Sequence, residues 1–290
     1  MPEFILEFPE TFRIPLSDWI DAIMTWVLTN WGFFFDAIGD GILLVLLYIE
    51  RFLLWLPWLF VVVLVGLVAW RVMRLWWAGV LLAVFMVIIG SFGYWDFSMM
   101  TLAIIISAVI ISLSIGIPTG IVMARSDRVE SILRPLLDAM QTMPSFVYLI
   151  PALMLFGLGK VPAVFATVIY AVPPVIRLTN VGIRQVPQSV IEAAQAFGSS
   201  SRQILFEIQL PLSIPSIMVG INQTTMMALA MVVIASMIGA RGLGLEVLLA
   251  INRIEVGRGF EAGLSIVLLA IIIDRITNAM ASRQHHKLIT

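Results

Sequence analysis

Long apolar runs separated by short clusters of charge set the pattern of this chain. Residues 54–71, 75–93, 98–123, 140–158, 162–182, 214–239 and 260–280 form seven such runs. An apolar stretch of about 20 residues, wound as a helix, covers the roughly 30 Å hydrocarbon core of a bilayer. The pattern predicts an all-α, polytopic helical membrane protein with about seven transmembrane helices. The last run is the weakest, because Glu261 and Asp274 lie within it. No sustained alternation of apolar and polar residues points to a β-barrel.

The first 53 residues read differently. Glu3, Glu7, Glu10, Asp18, Asp21, Asp36 and Asp40 are interleaved with Trp19, Trp26 and Trp31. Residues 17–38 are expected to form an amphipathic, Trp-rich segment in the membrane interface. Residues 42–55, interrupted by Glu50 and Arg51, are expected to be an interfacial lead-in and not a full span. Residues 1–53 therefore read as an acidic N-terminal extension, residues 54–97 as two helices, and residues 281–290 as a short tail.

Composition agrees with this class. Of 290 residues, 61% are hydrophobic and only 12% charged, against about 25% charged in ordinary soluble domains. The net charge of −1 offers nothing to nucleic acid. Cysteine is absent, which removes disulfides and thiolate chemistry, and the only histidines are His285 and His286 in the tail. No metal site is expected. No basic segment followed by a small-residue cleavage site opens the chain, so the first span is expected to serve as insertion signal.

Charge also orients the helices. Arg71, Arg74, Arg125, Arg128, Arg134, Arg184, Arg202, Arg275, Arg283 and Lys287 fall on one side of the seven-span scheme. Arg13, Arg51, Lys160, Arg241, Arg253 and Arg258 fall on the other. The positive-inside rule then puts the N-terminus outside and the C-terminus in the cytoplasm.

One cytoplasmic stretch does not fit its apolar surroundings: EAAQAFGSSSRQILFEIQLP, residues 192–211. Pro187 precedes it and Ser189 can cap a helix through Phe197. Gly198 can end that helix with positive φ. Any of Ser199, Ser200 and Ser201 can cap a second helix that carries Ile204, Leu205 and Ile208 on one face. Pro211 is expected to stop it, with Pro215 opening the next span. The physics alone describes two short surface helices bent at a glycine. Whether they are merely solvated or hold a partner stays open at this level.

Spacing adds a resemblance. Glu192, Ala193, Ala194, Gly198, Ile208, Leu210 and Pro211 fill every fixed position of the EAA loop, residues 189–211, of ABC importer membrane subunits. LRPLLDAMQTMPSFVYLIPALMLFG (133–157), VPPVIRLTNVGIRQVP (172–187) and GINQTTMMALAMVVIASMIGARGLG (220–244) resemble the glycine betaine/proline betaine permeases of the ProW type. The resemblance implies a five-helix type I importer core over residues 98–280 and a cytoplasmic coupling helix. It further implies a separate ABC ATPase subunit dimer that holds MgATP, an extracytoplasmic substrate-binding protein, and a second permease copy as homodimer partner. No cofactor is expected in this chain.

Absences narrow the reading. No G-x-x-x-x-G-K-[ST] loop is present; Gly159-Lys160 lacks the earlier glycine and is followed by Val161. The chain is therefore not expected to be an enzyme. Candidate path residues are Gln141, Phe146, Tyr148, Tyr170, Asn222, Thr225 and Met226. Aromatic faces attract quaternary ammonium groups, and polar groups within spans favour protein or water over lipid. Packing and inter-helix hydrogen bonds explain the same residues. The outer loop with Arg241, Glu246, Arg253, Glu255 and Arg258 is a candidate docking face for the binding protein, or simply solvated. Choline and carnitine are competing cargoes. A secondary transporter would show midplane carboxylates or an inverted repeat, and neither is visible. A non-transporting scaffold would anchor a partner without any solute moving.

Overall fold

The computed structural model describes residues 14–287, with side chains described through Ala281. The acidic positions Glu3, Glu7 and Glu10, Arg13, and residues 288–290 of the tail lie outside the described residues. Every described element is helical.

The longest element corrects the division of the N-terminal region into an amphipathic segment and a separate lead-in. Helix α1, Leu16–Trp55, is one continuous helix of 40 residues. Pro15 and Pro57 bracket it, and no proline falls between them. The isolated glycines Gly32, Gly39 and Gly41 each cost a helix only about 1 kcal/mol. Residues 42–55 are therefore not a separate lead-in, and α1 is long and apolar enough to cross a bilayer. Its contact face is Gly39, Ile42, Leu46 and Glu50, a stripe at helical spacing. Gly39 lies against Phe156 and Val161, while the Glu50 carboxylate takes the Lys160 ammonium in a bidentate pair at 2.6 Å. Both contacts are with the connection that opens α7.

Helices α2 (Trp58–Met73) and α3 (Trp76–Ser91) contain 16 residues each. At 1.5 Å per residue each is about 24 Å long. The two expected spans over 54–97 are thus shorter than a standard crossing. They pack as an antiparallel hairpin whose backbones touch: a Cβ on Gly79 would lie 2.5 Å from the Gly66 carbonyl oxygen.

Helices α4 (Trp95–Arg125), α7 (Lys160–Arg184), α9 (Ser201–Ile238) and α11 (Val256–Lys287) pass the length and composition test for a membrane span, together with α1. The fourth expected span, 140–158, does not form one straight helix. Amphipathic α5 (Asp127–Thr142) is followed by a 3-10 turn, Ser145–Tyr148, and by α6, Leu149–Phe156. The two parts meet at 110°. Pro144 is the cause, because its ring drives Met143 into extended backbone at φ −69° and ψ 136°. Pro118, Pro173 and Pro174, by contrast, sit inside unbroken helices.

The expected stop at Pro211 is also absent. Helix α9 opens as Ser201–Gln203, widens into a π-helical stretch over Ile204–Gln209, and continues as Leu210–Ala235 through Pro211 and Pro215. In the wide turn the Leu210 N–H reaches back to the Leu205 carbonyl. A proline clashes with the carbonyl four residues earlier, and the wider turn accommodates Pro211 without ending the helix. A short helix, α10 (Leu243–Arg253), links α9 to α11. The Leu243 N–H at its start donates to the Thr101 hydroxyl of α4 at 2.9 Å.

The main core surrounds α7, where Ala163, Val164, Ala166 and Ala171 meet Ala103, Ile104 and Ala108 of α4 and Ala228, Met231 and Ala235 of α9. Small residues let the helix backbones approach. A Cβ on Gly120 of α4 would fall 2.6 Å from the Thr179 Cβ and 2.7 Å from the Ile176 carbonyl oxygen. Gly120→Ala is therefore expected to cost about 1–3 kcal/mol by overpacking. Thermal unfolding of the purified protein in detergent reads this, and an unchanged midpoint would mean that α4 and α7 can part freely.

Candidate functional site: the EAA loop and the helix bend

At one end of the bundle, α8 (Gln188–Ala196) projects between α7 and α9. Pro187, not Ser189, occupies its N-cap and contributes no side-chain cap. The helix ends as Gly198 permits: with φ at +81°, its N–H bonds the Gln195 carbonyl and the Ser199 N–H bonds the Ala194 carbonyl. This is the left-handed closure that glycine adopts without strain. Of the three serines, Ser200 is the cap. Its hydroxyl accepts the Gln203 backbone N–H, while the Gln203 side-chain Oε1 accepts the Ser200 N–H at 2.9 Å. A reciprocal capping box therefore starts α9.

The motif residues divide by exposure. Glu192, Ala193 and Gly198 are exposed, Ala194 is buried, and Ile208, Leu210 and Pro211 are half-buried. Ile204 and Leu205 anchor the loop to the bundle. Sequence reasoning missed Phe197, which is 92% exposed beside Gly198. A phenylalanine in a polar loop next to its turning glycine was the available signal. Phe206 is exposed as well, with the Arg202 guanidinium 5.9 Å from its ring centroid. The tip thus offers a small-residue surface and an apolar knob to whatever docks on it.

The candidate path residues do not form one group. Tyr148 and Tyr170 come together edge to face, with centroids 5.9 Å apart at 65°. The Tyr148 hydroxyl donates to the Met140 carbonyl across the bend. Gln141 and Phe146 flank that bend and are exposed. Asn222 instead accepts a hydrogen bond from Thr277 of α11. Thr225 is buried and donates to the Ile221 carbonyl of its own helix, and Met226 is half-buried.

At the opposite end, the charged loop is partly structural. Glu246 is 5% exposed and accepts from Arg258 at 2.5 Å and 3.2 Å. Arg258 also reaches Glu255 at 3.2 Å. Burial pushes the neighbouring Tyr94 phenol above its ordinary pKa, against the opposing hydrogen bond from Arg258. Glu246 is thus turned inward, away from any docking face, whereas Arg241 and Arg253 remain exposed. Among the described residues, no three His, Cys, Asp or Glu side chains gather as metal ligands.

A second feature absent from the sequence reading lies at the root of the loop. Arg184, in the last turn of α7, donates to Asn180 at 3.0 Å, Asp127 at 2.8 Å and the Met123 carbonyl at 3.1 Å, and pairs with Glu130 at 3.0 Å. Asn180 also donates to Glu130 at 3.2 Å. Farther along the same seam, Arg177 pairs with Asp138.

Residues 116–286 match the model of the family described as binding-protein-dependent transport system inner membrane component. The chain is 47% identical over 267 residues to the glycine betaine/proline betaine transport system permease protein ProW of Escherichia coli K12, covering 92% of this chain and 75% of that protein. It is 46% identical to the glycine betaine transport system permease protein OpuAB of Bacillus subtilis 168, covering 91% and 94%. It is likewise 46% identical to the glycine betaine/carnitine transport permease protein GbuB of Listeria monocytogenes 10403S, covering 93% and 97%. Among solved structures, an inward-facing form of the MetNI methionine ABC transporter aligns with TM-score 0.56 at 19% identity, covering 64% of this chain and 93% of that one. That likeness concerns the fold.

Because Asn222 is engaged with Thr277, Asn222→Ala is expected to lower stability by about 0.6 kcal/mol. Uptake per folded transporter should be unchanged. Thermal melts alongside uptake in vesicles check this, and loss of uptake at unchanged stability would put Asn222 in contact with solute.

Proposed function

The chain belongs to the binding-protein-dependent transport system inner membrane component family, and we propose that its cargo is an osmoprotectant, glycine betaine or proline betaine. It is the permease subunit of an ABC importer located in the inner membrane, and ATP hydrolysis belongs to a separate ATPase subunit. The cargo reading is supported by relatives of nearly full coverage whose names carry glycine betaine. The Tyr148–Tyr170 pair adds chemical support, because aromatic faces attract a quaternary ammonium group. Carnitine is the second cargo to test, since GbuB is named for both solutes.

The observation that carries the mechanism is the exposed tip of α8. Glu192, Ala193, Gly198 and Phe197 stand clear of the bundle on a stiff, capped helix pair. In the proposed assembly two permease copies each seat this tip in one subunit of an ATPase dimer that holds MgATP. Closure of the ATPase dimer drives the two tips together and opens the helices to a solute-loaded binding protein. Hydrolysis then restores the inward-facing state. Ala193 allows close approach, Phe197 fills an apolar socket, and Gly198 preserves the turn.

This assembly puts the EAA loop and the C-terminus in the cytoplasm and the amino terminus outside. The outside placement is supported by α1, which meets the α7-opening end of the bundle at both Gly39 and Glu50. A cysteine at Ser17 should then react with a membrane-impermeant thiol reagent in intact cells. Labelling only after permeabilisation would mean that all of α1 crosses the bilayer.

Reconstitution of permease, ATPase and binding protein in liposomes tests the function. Labelled glycine betaine should accumulate with ATP, ahead of carnitine and choline. Gly198→Pro and Glu192→Lys are expected to abolish ATP-driven uptake in inserted protein. Phe197→Ala, as a central aromatic contact, should weaken ATPase binding by about 2 kcal/mol, roughly 30-fold. Normal uptake in all three variants would remove the loop from the coupling mechanism.

A further inference from the structure

The seam between α5 and α7 is lined by paired charge. Arg177, Asn180 and Arg184 are spaced three and four residues apart, so they share one face of α7. Opposite them on α5 lie Asp138, Glu130 and Asp127, met in reverse order: Arg177 with Asp138, Asn180 with Glu130, Arg184 with Glu130 and Asp127. The two helices therefore run antiparallel, zipped by a ladder of three rungs. Arg184 also bonds the Met123 carbonyl, which ties in the last turn of α4. Glu130 is further held by Arg134 of its own helix.

The position of the ladder matters more than its number of bonds. Arg184 closes α7 four residues before α8 begins. Asp138 stands four residues before Thr142, where α5 ends and the 110° bend begins. Beyond that bend the Tyr148 ring packs on Tyr170, and its hydroxyl is held by Met140 of α5. Separate charged and hydrogen-bonded contacts carried on the same two helices, α5 and α7, thus run from the root of the EAA loop to the aromatic pair. The Arg177 Nε–H in this seam is buried without an acceptor. An unmet buried donor is unfavourable.

We propose that this α5–α7 ladder transmits displacement of the EAA loop to the bend at 143–148, with Arg184 and Arg177 as positioning residues. The proposal rests on the coupling role assigned to the loop. A rigid element with two arrangements is the physical requirement for such transmission. The planar guanidinium fork of Arg184 can hold α4, α5 and α7 together in fixed orientation, whereas a lysine supplies only a point charge.

The test uses the full importer in liposomes and reads solute moved per ATP hydrolysed, together with ATPase stimulation by the binding protein. Co-purification of the ATPase is measured in parallel. Arg177→Asp and Asp138→Arg should each lower the solute-to-ATP ratio about fivefold or more, the lower end of usual coupling between sites, with ATPase still bound. The double exchange should restore the ratio, as expected when a pair acts through its mutual contact. Arg184→Gln should also uncouple, and Arg184→Lys should recover only part of the ratio.

A wild-type ratio in the single Arg177 and Asp138 variants, or an uncoupled double variant that is folded and ATPase-bound, overturns the ladder. If the double variant does not fold, Arg184→Gln decides: a wild-type ratio there overturns the proposal, and a lowered ratio with intact docking supports it. Gly198→Pro separates the two levels. If it also transports normally, the loop assignment itself has failed. If it is inactive while the ladder variants are normal, only the ladder has.

Discussion

Close approach of helix backbones is the constraint on which the rest of this structure depends. Apolar side chains gain little from leaving lipid tails for a neighbouring helix, so association relies on packing and on small residues. Gly120 of α4 lies against α7, and Gly182 of α7 lies against Ser213 and Ser216 of α9. Helix α7 is therefore gripped on two sides at backbone distance. It holds Pro173 and Pro174 inside a continuous helix, as membrane helices can where neighbours meet the freed backbone groups. Both ends of the functional apparatus hang on this helix: α8 leaves its C-terminal end, and Tyr170 lies within it.

Charge follows from the same constraint. Ionisable groups are costly within a bilayer and survive there in pairs or at the ends of the bundle. Glu50 with Lys160 joins elements distant in sequence, Glu246 with Arg258 joins the consecutive helices α10 and α11, and the Arg184 cluster joins α7 to α4 and α5. The first two lock α1 and α10 to the core. The third sits where the chain leaves the bundle to form the EAA loop. A packed core thus carries a charged root below an exposed, capped tip.

The loop was legible in sequence because its determinants are local. Gly198 adopts positive φ for reasons confined to one residue, and Ser200 with Gln203 forms a capping box across four positions. Helical membrane architecture was legible for a similar reason, since apolar runs report directly on solvent. Misreadings arose wherever a local signal competed with context. Pro211 reads as a helix stop, yet a π-helical turn absorbs it. Glu50 reads as an interruption, yet Lys160 satisfies its charge and α1 runs on. The 140–158 run reads as a straight span, yet Pro144 folds it by 110°. The candidate path residues were drawn from residue type alone, which cannot say that Asn222 is already taken by Thr277.

By itself, the sequence determined the solvent of this protein, its helical class, and the glycine-bent pair of helix ends at Gly198 and Ser200. Each of these is set within a few residues, by transfer of side chains into lipid, by backbone propensity, or by motif spacing. Only the tertiary structure decided which charges are paired, which tyrosines meet and which helix continues through its prolines. Those outcomes depend on groups as far apart as Glu50 and Lys160 or Asp127 and Arg184. The energy of a charge or a strained turn in a bilayer is fixed by the neighbour that meets it, and no local pattern names that neighbour.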